Sequence, residues 1–377
     1  MVEISLCMIV KDEEETLDRC LKSIEGIPDE IIIVDTGSQD KTKEIAKKWT
    51  EKVFDFQWID DFSAARNFSF QKATKDFIMW LDADDILKKE EKQKFLKLKN
   101  QLTPQTPIDA ISMIYKIDEG INCVNLRRIR LVKKASNFSW VGIVHEDLTK
   151  EEEFGVYNSD IIITHKKPLS KINNKNSKRN LEIFEKNIKK GKKLNPDEIL
   201  NYARELQEHK DYQKAIEYYH KFLEYKGRAL GIRMFAYNNL ATCYFYLNKE
   251  DKVLETTLKA LTEDIPHPCF CCKLGDHFLK EKKFKQAIFW YNLATNVEIE
   301  ESIHKVSFKA LNTWIPYRQL GFCYLNLKEY EKALHFYEKC LKYNPNEPHA
   351  ITAIKELKKV KNLLIKKPTE NIEKQKV

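Results

Sequence analysis

Asp82, Asp84 and Asp85 put three carboxylates within four residues, directly behind the apolar run Phe77-Ile78-Met79-Trp80-Leu81. Carboxylates so close repel one another, and a cation or hydrogen-bond donors must offset the repulsion. A hard divalent ion does this well, because it binds carboxylate and phosphate oxygens together. The apolar run predicts one buried strand. The acids would then lie at its carboxyl end, where open α/β sheets bind their ligands. An acidic turn is the bland alternative, since Asp is common in turns. Two earlier apolar runs also end in acids: residues 4–10 meet Asp12 and Glu13, and residues 31–34 meet Asp35. Such carboxylates suit ribose hydroxyls, a uracil N–H or a metal. They do not suit bare phosphate.

The elements that must position these groups alternate. Strands are predicted at 4–10, 31–34, 53–56 and 77–81, with helices starting at Leu17 and covering 41–49 and 62–73. This alternation predicts a mostly parallel α/β sheet. No G-x-G-x-x-G follows the first strand and the chain has only ten glycines, which excludes a dinucleotide fingerprint. Beyond a charged helix at 88–102, residues 110–117 and 126–132 alternate like antiparallel strands. Another strand is expected at 160–165.

Four motifs appear in order: Val10-Lys11-Asp12-Glu13, Val34-Asp35-Thr36-Gly37-Ser38, Asp61-Phe62-Ser63-x-Ala65-Arg66-Asn67, and Trp80-Leu81-Asp82-Ala83-Asp84. Together they resemble the family 2 glycosyltransferases with the GT-A fold, in the subgroup that glycosylates bacteriocin peptides. Residues 4–170 carry the resemblance. Asp12 departs from it, because asparagine is more usual there.

The resemblance implies a UDP-sugar donor, with Val10, Asp12, Glu13, Asp35, Arg66, Asp82 and Ala83 around the nucleotide sugar. It implies Asp84 as ligand to Mg²⁺ or Mn²⁺, with His165 as a further ligand or diphosphate contact. Taken singly, Arg66 also reads as a helix-surface salt bridge, Asp35 as a helix cap and His165 as a structural histidine. Arg127, Arg128 and Arg130 read either as cations near the diphosphate or as a polar strand face. Inversion at the anomeric carbon needs a base on the acceptor side. Glu146 and His145, after Trp140-x-Gly142, are the candidates. The rival role for Glu146 is structural, pairing with Arg127, Arg128 or Arg130. A thiol acceptor, with its pKa near 8.5, would ask less of a base than a hydroxyl.

The second half changes period. Ala203, Ala241, Gly275 and Gly321 are 38, 34 and 46 residues apart, with aromatic residues in a shared phase behind each. Helix pairs of about 34 residues with small residues at the packing positions are the tetratricopeptide signature. The excess lengths fall at 226–231 and 298–310. Such arrays form superhelices with a groove suited to peptides. The expected organisation is an α/β GT-A nucleotide-sugar domain at 1–170, a linker and connecting helix at 171–195, an all-α tetratricopeptide superhelix at 196–367, and a flexible tail at 368–377. The helix at 178–190 would stop at Gly191.

Composition limits the alternatives. The net charge of +8 has no arginine-rich block, which argues against nucleic acid. No apolar run reaches the roughly 18–20 residues of a membrane helix. The nine cysteines, with no export signal, read as reduced thiols of a cytoplasmic protein. A zinc site at His267, Cys269, Cys271 and Cys272 is the weaker reading, because the repeat phase makes Cys271 and Cys272 helix residues. The expected function is inverting transfer of a hexose, glucose foremost, from a UDP-sugar to Cys or Ser/Thr of a peptide or protein. The alternative acceptor is a lipid or a polysaccharide. The repeats would hold the acceptor or join two copies into a homodimer.

Overall fold

The computed structural model describes residues 2–119, 122–166, 178–297 and 309–365. The chain forms two compact units, Met1–Asp211 and Tyr212–Val377.

The first unit is built on an eight-stranded sheet in which the described strands lie in the order Val53–Asp55, Glu30–Asp35, Ile4–Val10, Phe77–Trp80, Asn122–Lys133, Ala110–Glu119, Val156–His165, Asp85–Leu87. Strands β1 (Ile4–Val10), β2 (Glu30–Asp35) and β4 (Phe77–Trp80) are nearly wholly buried, which their unbroken apolar sequence requires. With β3 (Val53–Asp55) they pair in parallel. Helices α1 (Leu17–Ser23), α2 (Thr42–Lys47) and α3 (Phe62–Gln71) connect them. After β5 (Asp85–Leu87) and α4 (Lys89–Gln101), the long strands β6 (Ala110–Glu119) and β7 (Asn122–Lys133) pair antiparallel, as their alternation predicts. Strand β7 also lies antiparallel to β4. The α/β half is parallel, as its alternation predicts, and the sheet as a whole is mixed because a direct antiparallel pair follows that half.

Two short elements are not evident in the sequence. Strand β5 pairs with the end of β10 (Val156–His165). A separate hairpin joins β8 (Ser139–Val141) to β9 (Asp147–Thr149). Helices α5 (Arg179–Lys189) and α6 (Pro196–Glu208) complete the unit, and Gly191 follows α5 at φ +87° as its stop.

Helix α6 lies where the repeat domain is expected to begin, at 196. Its buried Glu198 and Glu205 bond to the loop between β8 and β9, so it belongs with the first unit. The expected linker at 171–177 and tail at 368–377 lie outside the described residues.

The second unit contains α7 (Tyr212–Leu223), α8 (Leu230–Tyr246), α9 (Glu250–Leu261), α10 (Pro268–Lys280), α11 (Phe284–Asn296), α12 (Trp314–Asn326), α13 (Tyr330–Tyr343) and α14 (Pro348–Ile365). The small-residue phase has a direct steric cause here. A Cβ on Gly275 would stand 2.5 Å from the Tyr291 ring, and one on Gly321 would stand 2.8 Å from Tyr337. Cys269, Cys271 and Cys272 are buried in α10, where burial pushes their thiols up. They form no metal cluster among the described residues. Nor is any described helix long and apolar enough to cross a membrane.

Candidate active site

The register of the sheet assembles the acids. Val10 pairs with Asp35, so the carboxyl ends of β1 and β2 finish level. Strand β4 ends beside them. Asp12, just past β1, has φ +52°, a region that Asp and Asn enter more readily than most residues. Its Oδ1 accepts the Gln39 N–H at 2.8 Å, and its own N–H donates to Ser38 Oγ at 3.0 Å. Glu13 Oε2 accepts from Thr16 Oγ1 at 2.6 Å. Asp35 is buried. Its Oδ1 accepts from the Gly37 and Ser38 N–H groups, while its Oδ2 has no hydrogen-bond partner among the described residues.

Arg66 on α3 is the hub. Its guanidinium packs against the rings of Trp80 and Trp140, 4.8 Å from each centroid, and the two rings meet edge to face. Nη2 donates to Asp82 Oδ1 at 2.7 Å and Nε donates to Glu146 Oε1 at 2.6 Å. The helix-surface reading of Arg66 fails, since the residue is 93% buried, with 7% exposed. The structural partner expected for Glu146 among Arg127, Arg128 and Arg130 is likewise replaced, by Arg66. Burial alone would raise the Asp82 carboxyl, but Arg66 and Arg130 together hold it well below the usual range. Asn67, next to Arg66, bonds Trp140 twice, through Nδ2 to the carbonyl and Oδ1 from the N–H.

The metal-type cluster comes from the pairing of β5 with β10, which sets His165 opposite Asp85. His165 Nδ1 is 3.2 Å from Asp84 Oδ1 and 3.5 Å from Asp85 Oδ1. One ligand atom from each of Asp84, Asp85 and His165 falls within 4.8 Å of the others. His165 Nδ1 and Asp85 Oδ1 are buried without a hydrogen-bond partner among the described residues. Two carboxylates and an imidazole suit Mg²⁺ or Mn²⁺, so these residues fit the ion that the sequence implies. Burial works against a charged imidazole, yet the two carboxylates push His165 up to about 9. Asp85 belongs to the acidic run but was not among the expected ligands. It reads as mere turn continuation until the strand pairing is known.

The three arginines of β7 divide. Arg130 is fully buried, 3.0 Å from Asp85 Oδ2, and its guanidinium stacks between Trp80 at 3.8 Å and Tyr115 at 4.6 Å. Arg127 donates to Ser112 Oγ and the Ser159 carbonyl. Arg128 lies over the Tyr115 ring. Neither the polar-face reading nor a direct diphosphate contact describes Arg130, which neutralises Asp85 from behind.

Residues 142–146 form the loop of the β8–β9 hairpin. Gly142 has φ +104° and His145 has φ +55°. His145 Nε2 lies 2.6 Å from Glu205 Oε1 on α6. Glu146 points the other way, to Arg66. Glu205 gives no signal in the sequence, where it looks like an ordinary helix-surface acid, whereas Glu198 closes the capping box with Asn195 that starts α6.

Residues 5–121 match the family model "Glycosyl transferase family 2", and residues 315–347 match "Tetratricopeptide repeat". The chain thus carries a family 2 glycosyltransferase domain, followed by tetratricopeptide repeats. Over 322 residues it is 26% identical to "SPbeta prophage-derived glycosyltransferase SunS" of Bacillus subtilis, an alignment that covers 82% of this chain and 73% of that protein. It is also 52% identical over 87 residues to "TPR repeat-containing protein Synpcc7942_0270" of Synechococcus elongatus, but this spans 23% of this chain and only 22% of that relative. Among solved structures, "Crystal structure of MamA" aligns with 43% of this chain and 85% of its own, at 20% identity and a TM-score of 0.33.

Proposed function

We propose that the chain is an inverting glycosyltransferase that moves a hexose, glucose foremost, from a UDP-sugar to a Cys or Ser/Thr side chain of a peptide or protein. The observation that carries this reading is the meeting of Asp35, the Arg66–Asp82 pair and the Asp84–Asp85–His165 cluster at the carboxyl ends of adjacent strands. Val10, Asp12, Glu13 and Asp35 would line the uridine. Ala83, which is buried, would let the sugar diphosphate approach the backbone between Asp82 and Asp84.

Asp84 and His165, with Asp85 beside them, would hold a divalent cation, which when bound neutralises charge developing on the departing diphosphate. In the transfer itself, the anomeric carbon–oxygen bond to the diphosphate breaks as a bond from the acceptor sulfur or oxygen forms on the opposite face. The acceptor proton passes to Glu146 or His145, and UDP leaves. Glu146 has Oε2 available for this, with Oε1 engaged by Arg66. Arg66 would act by keeping Asp82 ionised and by holding both Asp82 and Glu146 in place.

A peptide acceptor is preferred to a lipid or polysaccharide because the repeats offer a protein-binding module, and the alignment with SunS runs through both halves. Dimerisation remains the other use of the repeats. Incubation with a UDP-sugar panel and candidate peptides encoded by neighbouring genes, read by intact mass, tests the reading. A hexose added to a peptide supports it. Transfer only to lipid or glycan acceptors would overturn the acceptor assignment.

A further inference from the structure

We infer that Glu205 is a positioning residue for glycosyl transfer, acting through His145 to hold the loop that presents Glu146 to Arg66. The observation is a brace of two acids seven residues apart on α6, and thus on one helix face. Both are nearly fully buried, at 3% exposure for Glu198 and 4% for Glu205. Glu198 Oε1 accepts the Ile143 N–H at 3.3 Å, and Glu205 Oε1 meets His145 Nε2 at 2.6 Å. The opposite side of the hairpin is tied to α3: Asn67 bonds Trp140 twice, and the Phe62 N–H donates to the Ile143 carbonyl at 3.0 Å.

Buried carboxylates are rarely spent on a surface loop without a reason, because each must recover its desolvation. Here burial pushes Glu205 up, while hydrogen bonds from His145 and Asn180 hold it below the usual carboxylate range. An ionised carboxylate can only accept, so the His145 nitrogen facing it carries the proton. That bond stabilises a left-handed backbone at His145, a conformation that costs energy for a residue other than glycine. The left-handed residue turns the chain so that Glu146 points at Arg66. The linked path runs Glu205, His145, Glu146, Arg66, Asp82, and every link but the peptide bond is a hydrogen bond of 2.6 or 2.7 Å.

This inference rests on reading the loop 142–146 as part of a transfer site, so the test has two independent readouts. The first is kinetic. Glu205→Ala should slow turnover by about 10- to 100-fold, the usual cost of a misplaced reacting group, with the donor KM within about twofold. Glu205→Gln, which can still accept from the ring, should recover most of the rate. The double variant Glu205→Ala/His145→Ala should be no slower than His145→Ala alone, because both changes remove one link. The second readout is the Arg66 Nε–H resonance in ¹⁵N spectra of the full chain, which needs no turnover. It should shift in Glu205→Ala and stay put in Glu205→Gln. Should Glu205→Ala fail to fold, Glu205→Asp withdraws the carboxylate by one methylene and gives the same reading. An unmoved Arg66 resonance, or rate losses that multiply in the double variant, would overturn the role of Glu205. A wild-type chain that transfers no sugar would instead sink the functional reading, and the resonance would still judge the brace.

Discussion

Glu146→Gln separates proton transfer from scaffolding. The side chain is 12% exposed and bonds Arg66 Nε at 2.6 Å, while Arg66 keeps a second carboxylate, Asp82, at 2.7 Å. Removing the charge thus weakens one charge-assisted hydrogen bond without stranding the guanidinium. The expected stability loss is about 1.5–3 kcal/mol. In a unit the size of Met1–Asp211 that corresponds to a fall of about 3–12 °C in Tm. A lost general base costs far more in rate, about 10²- to 10⁴-fold. The acceptor atom divides the two effects. A serine hydroxyl needs its proton removed during attack, whereas a cysteine with pKa near 8.5 is already partly ionised at pH 8. If Glu146 takes the proton, the variant should lose transfer to serine by the larger factor and transfer to cysteine much less, with raised pH restoring the cysteine reaction alone. The assay is transfer to paired Cys and Ser versions of one peptide across pH 6.5–9, with thermal melts of each protein. Equal losses on both acceptors, unrescued by pH, would refute the reasoning. They would leave Glu146 as a support for Arg66 and make His145 the base to test.

Asp84→Ala should abolish transfer and divalent-ion binding while the protein stays folded, since Asp85 remains beside His165 as its partner. Titration with Mn²⁺ alone checks this, and full activity in chelator would remove the ion from the mechanism. Glu30 governs acid stability. Its buried carboxyl accepts from Ser5, Thr74 and Lys52, which overcome the upward push of burial and hold it at about 2, against an ordinary 4.5. A depressed carboxyl stabilises the fold above its unfolded value and loses that contribution as pH falls from about 4.5 to 2. Glu30→Gln should therefore remove on the order of 3 kcal/mol of pH-dependent stability across that window, of which denaturant melts at pH 7 and pH 3 should read about 2 kcal/mol. In the repeats, Gly275→Ala should cost about 1–3 kcal/mol by overpacking against Tyr291, whose ring is fully buried and whose hydroxyl is held by Asp276. An unchanged melt would mean that the ring can move aside.

The sequence by itself determined the local elements and the kinds of chemistry. Unbroken apolar runs mark β1, β2 and β4 because strands buried on both faces need no polar alternation. The acids that follow them are legible for the same reason, as carboxylates at strand ends. The repeat phase is legible because small residues recur where paired helices must touch. Tertiary structure decided who meets whom. His165 reaches Asp84 and Asp85 only through the pairing of β5 with β10, some eighty residues apart in the chain. Arg130, a polar strand residue in the sequence, becomes a buried counter-charge because β7 lies beside β4. Glu146 meets Arg66, and Glu205 meets His145, through contacts spanning 80 and 60 residues. Local propensity carries no record of such partners, since a glutamate on a helix has the same pattern whether it faces water or a histidine. Only the closed fold, by removing water from both sides, turns those charges into a site.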